Sequence, residues 1–94
     1  MITTITNYVN AVEKVNSGDI YIWLADDCSP AVYENSAIRL NACFPEFPLT
    51  DAIRPDGKKC KMITGFPLEK VIEKFMGYHQ LVDDRCIHIL NVRP

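Results

Sequence analysis

Ser29-Pro30-Ala31-Val32-Tyr33-Glu34-Asn35-Ser36-Ala37-Ile38-Arg39-Leu40-Asn41-Ala42-Cys43-Phe44 is the stretch on which the fold turns. Two periodicities compete in it. Tyr33, Ala37, Leu40 and Phe44 share one face of a helix. Ile38, Leu40, Ala42 and Phe44 alternate with Arg39, Asn41 and Cys43, as a half-buried strand requires. Each template accounts for four apolar positions, so periodicity alone does not decide. Ser29-Pro30 has the form of a helix start, a capping hydroxyl and then proline at the first helical position. We therefore expect a helical turn after Pro30 and a strand from about Ala37 to Cys43.

Upstream, Ile20-Tyr21-Ile22-Trp23-Leu24-Ala25 is apolar on both faces and rich in aromatic and branched residues. It reads as a central strand covered on both sides, ended by Asp26-Asp27. Before it, Ile5, Tyr8, Val9, Val12 and Val15 form a helical stripe. Thr3 or Thr4 offers the N-cap oxygen, and Ser17-Gly18 the stop. Asn7, Asn10, Glu13 and Lys14 are placed on the solvated face. β-branched residues are mediocre helix formers, so packing must hold this helix.

Downstream, Phe44-Pro45-Glu46-Phe47-Pro48-Leu49 is an extended loop, because its prolines remove amide donors and preset φ. Ile53-Arg54-Pro55-Asp56-Gly57-Lys58-Lys59 reads as a turn between two strands, the second running Lys59 to Thr64. Gly65-Phe66-Pro67 opens another helix, with Leu68, Val71, Ile72, Phe75 and Met76 as its apolar stripe and Gly77 near its end. Cys86-Ile87-His88-Ile89-Leu90-Asn91-Val92 is a last strand. The sum is an α+β fold over residues 1–94 as a single small domain. Two amphipathic helices pack on one face of a mainly antiparallel sheet of about four strands.

Ninety-four residues suit one modest core, with roughly 60–65% of the unfolded surface buried. The chain is 48% hydrophobic and 23% charged, with a net charge of -2. That balance excludes wholesale disorder. It also gives no long-range field to steer nucleic acid or an acidic membrane surface. No run approaches the ~18 apolar residues of a membrane span, and the N-terminal residues lack the pattern of a signal peptide. We expect a cytoplasmic protein. Cys28, Cys43, Cys60 and Cys86 show no C-x-x-C spacing, so they read as reduced, small apolar residues.

No residue set assembles a catalytic or metal site, and no cofactor is expected. His88 sits in an apolar strand and reads as a hydrogen-bonded structural histidine. His79 lies at a helix C-terminus, where an imidazolium meets the helix dipole. Asp26-Asp27 and Asp83-Asp84 read as turn residues, although four converging carboxylates would suit a divalent cation. Pro55-Asp56 with Lys59 and Lys61 has a superficial likeness to a metal-dependent nuclease core. Turn geometry accounts for all of it.

Two sets of residues are left as partner-binding candidates. Tyr33, Phe44, Phe47 and Leu49 lie in irregular, proline-punctuated segments, where they form either core lids or an exposed apolar patch. Arg54, Lys58, Lys59 and Lys61 make a basic cluster. The expectation is a non-enzymatic cytosolic protein that associates stoichiometrically with a larger protein or complex. It would act as an inhibitor or regulator of the kind used by phages against host defences. One alternative is a small enzyme or metal-binding domain using His79, His88 and the aspartate pairs. The other is nucleic-acid binding through the 54–61 hairpin.

Overall fold

The computed structural model describes residues 4–92. Their order is α1 (Asn7–Lys14), β1 (Ile20–Leu24), β2 (Pro30–Tyr33), α2 (Glu34–Cys43), β3 (Thr50–Ile53), β4 (Lys59–Thr64), α3 (Leu68–Lys74), β5 (Gln80–Val82) and β6 (Cys86–Ile89). The six strands form one antiparallel sheet in the order β3-β4-β2-β1-β6-β5. The α+β class is as expected. The described residues hold three helices and six strands, not two and about four.

The 29–44 stretch reverses the expected order: Pro30–Tyr33 is strand and Glu34–Cys43 is helix. Burial explains why the helical period prevails. Ala37, Leu40 and Phe44 are buried against the sheet, as the 3.6-residue repeat demands. A strand would bury Ile38 and Ala42 with Leu40, yet both are exposed. Pro30 sits at the first residue of β2, where a missing amide costs the ladder little.

Strand alternation sorts the apolar residues onto two faces. Ile20, Ile22, Val32, Ile63, Ile87 and Ile89 point to one face, where they join Ala37 and Leu40 of α2 and Val71 and Phe75 of α3. On the other face Ala52, Cys60 and Met62 pack with Ile5 and Val9, and Trp23 and Tyr33 lie against them. The helices therefore do not share a face. Helix α1 lies opposite α2 and α3, which is why β1 is apolar on both sides.

The N-cap of α1 is Thr6, whose Oγ1 accepts from the Val9 amide at 3.1 Å. Thr4 is bridged to Ile53 instead, and Thr3 lies outside the described residues. Tyr8 and Val15 are exposed, whereas the buried stripe runs Val9, Glu13, Asn16. Placing Glu13 on the solvated face was wrong, because it is 1% exposed.

These assignments separate two substitutions in α2. Leu40→Ala is expected to cost about 3 kcal/mol in urea denaturation, the usual cost of truncating a fully buried leucine. Ile38→Ala is expected to cost under about 1 kcal/mol, since a surface side chain loses little packing. Similar costs at both positions would contradict the helix.

Candidate functional site

The first feature that chemistry singles out is a buried polar node. The N-cap of α2 is Tyr33, which supplies no side-chain acceptor to the helix amides. Glu13 of α1 supplies it from across the fold. Its Oε1 accepts from the Ser36 amide at 2.9 Å, and its Oε2 accepts from the Ser36 hydroxyl at 2.5 Å. Ser36 Oγ in turn accepts from the Tyr21 amide at 2.9 Å. Asn16 Nδ2 lies 3.2 Å from Glu13 Oε1, 3.1 Å from Ser36 Oγ and 3.0 Å from the Asp19 carbonyl. Asn35 donates back to the Glu13 carbonyl at 3.1 Å, so α2 also caps the end of α1. Burial pushes the Glu13 carboxyl above its ordinary range. The Ser36 and Asn16 hydrogen bonds and the Arg39 charge oppose that rise.

Next to the node, His88 Nε2 lies 2.7 Å from Asp19 Oδ2. Asp19 Oδ1 accepts from the Asn91 amide at 2.9 Å, where Asn91 takes a positive φ of 56°. The Tyr21 ring stacks on His88 at 4.0 Å between centroids. Partial burial works upward on the Asp19 carboxyl. The Asn91 and His88 hydrogen bonds outweigh it and hold the group below its ordinary range. His88 is thus half-buried and partnered by a carboxylate. The Ser36 hydroxyl of the node is buried and committed to Glu13, Tyr21 and Asn16. Cys86 has its thiol pushed up to about 11, chiefly by burial, and Cys60 likewise, so both are poor thiolates near neutral pH.

The structure brings the two aspartate pairs to one end of the sheet, in adjacent turns, but separates them with Arg85. That guanidinium pairs with Asp26 at 2.9 Å. Asp27 accepts from the Ser29 amide, and Asp83 from the Arg85 and Cys86 amides. Among the described residues no three His, Cys, Asp or Glu side chains converge as metal ligands would.

The partner-binding candidates divide. Phe44 and Phe47 are buried, stacked on each other at 4.8 Å, and act as lids on the main core. Leu49 packs against the same core, and Tyr33 against the α1 cluster. These four side chains therefore form no exposed apolar patch. In the basic hairpin, Arg54 pairs with Glu34 at 3.1 Å and Lys61 with Asp51 at 3.0 Å. Lys58 and Lys59 are exposed. Half the cluster's charge is thus answered locally.

Exposed large apolar side chains lie elsewhere: Tyr8 and Val15 at α1, Ile38 on α2, and a set in and before β5. Met76 is 75% exposed, Val82 68% and Leu81 53%, with Tyr78 beside them. Strand β5 pairs only with β6, so its outer edge is open among the described residues. The opposite edge is not, because the Ile5 amide donates to the Ile53 carbonyl at 2.9 Å along β3. Sequence reasoning missed β5. Its only signal was Leu81-Val82 set before the Asp83-Asp84 turn. Comparison with protein-family models, curated proteins and solved structures returned no match. No described helix is long and apolar enough to cross a membrane.

The node has a testable pH signature. A carboxyl raised above its unfolded value of 4.5 contributes full stability below that pH and loses it as pH rises through the folded value. Glu13→Gln cannot ionise. Its unfolding free energy relative to the parent should therefore rise between about pH 4.5 and 7. A difference that stays constant over that range in chemical denaturation would show that Glu13 ionises normally.

Proposed function

We propose that the protein works by stoichiometric association with a larger protein or complex, as a cytoplasmic inhibitor or regulator of the kind phages use against host defences. It performs no catalysis of its own on this reading. The observation that supports it is the β5 end, where an open strand edge coincides with exposed Met76, Leu81 and Val82. Leu81 and Val82 point to opposite faces of β5, so the open edge carries exposed apolar side chains on both sides, a feature of interaction surfaces. An unpaired strand adds main-chain hydrogen bonds to the attraction. The fully partnered state of Glu13, Asp19 and His88 fits a structural role for the polar groups. The local pairing of Arg54 and Lys61 weighs against a phosphate-binding face.

Tagged protein captured on beads from reduced lysate of the organism that carries it, read by mass spectrometry, tests the reading. A stoichiometric partner is expected with the parent and with Lys58→Glu plus Lys59→Glu. Leu81→Lys plus Val82→Lys is expected to lose it at least tenfold. The opposite dependence would move the surface to the hairpin. Repeated captures with no partner would sink the proposal.

A further inference from the structure

We infer that the β5 edge pairs with the β5 edge of a second copy of this chain, antiparallel and centred on Leu81. The inference rests on β5 being a docking surface and names its occupant in the free protein.

The ladder decides which backbone groups are available. The Asp83 amide donates to Cys86 and the His79 carbonyl accepts from Leu90, so residues 79, 81 and 83 direct their backbone groups toward β6. Gln80 and Val82, between them, direct theirs outward. Two such edges related by a two-fold axis can place Gln80 opposite Val82 of the second copy, and Val82 opposite its Gln80. Each of those pairs exchanges both backbone hydrogen bonds. Leu81 then meets Leu81 of the second copy in a close, non-hydrogen-bonded pair.

The flanking residues select this register. It sets His79 opposite Asp83 of the second copy, a base facing a carboxylate, at both ends of the pairing. Asp83 uses Oδ1 for the Arg85 and Cys86 amides, which fixes its carboxylate at the end of β5. A two-residue slip one way sets Leu81 against His79, and the other way against Asp83. Both lose the leucine pair and the histidine–carboxylate pairing. Contact between identical patches closes on itself as a dimer and does not propagate. The strand is short, so the dimer is weak.

The register gives a chemical test. In a Cys28→Ser background, which removes the exposed native thiol, Leu81→Cys places two sulfurs across a pair about 4.5 Å apart at Cα, within disulfide reach. Mild oxidation is expected to convert most of it to a dimer of twice the monomer mass. Gln80→Cys or Val82→Cys alone is expected to give at least tenfold less, but the two mixed together should cross-link. Thermal melts of the reduced variants verify folding. Sedimentation of the unmodified parent from roughly 10 µM to 1 mM should show reversible dimerisation, abolished by Val82→Pro, which deletes an outward amide. A parent that stays monomeric across that range, or cross-linking without position dependence, overturns the inference. A monomer that still captures a partner through β5 would leave the proposed function standing. A dimer that captures nothing would do the reverse.

Discussion

A single carboxylate joins the two halves of this molecule. Glu13 leaves the end of α1 and accepts from the Ser36 amide in the first turn of α2, a helix whose own cap position holds a tyrosine. Helix N-termini carry unsatisfied donors and a positive dipole end, and an acidic oxygen answers both. Ser36 extends the connection to the Tyr21 amide of β1, and Asn35 returns it to the last turn of α1. Two helices on opposite faces of the sheet are thereby referenced to the same point on its central strand. Removing any one member leaves the others buried without partners, which is costlier than never having placed them. That is why a glutamate can occupy a position an aliphatic side chain would otherwise fill.

The sheet built around that point has unequal ends. At β3 the N-terminal segment is bonded to Ile53, and Asp51 and Lys61 add paired charge. Among the described residues β5 has neither device, and its short length restrains pairing. The asymmetry leaves one end of the sheet open among the described residues, at the far side of the order from β3.

Much of this was legible in the chain. The both-faces-apolar reading of Ile20 to Ala25 gave the central strand, which ends one residue earlier, at Leu24. The Pro-Asp-Gly turn gave the β3–β4 hairpin, and the Leu68 to Met76 stripe gave α3, although Met76 lies beyond its end and is exposed. The failures have physical causes. Residues 30–43 satisfied two periods equally. Only the sheet could decide between them, by burying Ala37 and exposing Ile38. Glu13 looked solvated because a helical wheel knows side-chain polarity but not a distant, uncapped helix. Phe44 and Phe47 follow α2 into the core once that segment is helical. Strand β5 has three residues, too few to display alternation, and its edge is defined only by its place at the end of the order.

The chain contains one tryptophan, and its position gives the molecule an internal gauge. Trp23 lies on the face of β1 beneath α1, with the Tyr8 ring edge-on at 5.7 Å and Tyr21 stacked at 6.2 Å. Its indole Nε1 is buried with no hydrogen-bond partner. An indole held dry by a helix reports on that helix. Lifting α1 from the sheet admits water to the one chromophore of its kind and shifts its emission to the red. The main core lies on the other side of β1 and can stay packed while that happens. A red shift of Trp23 emission that precedes loss of the far-ultraviolet circular dichroism of the whole fold therefore marks local detachment of α1 in the unlabelled protein.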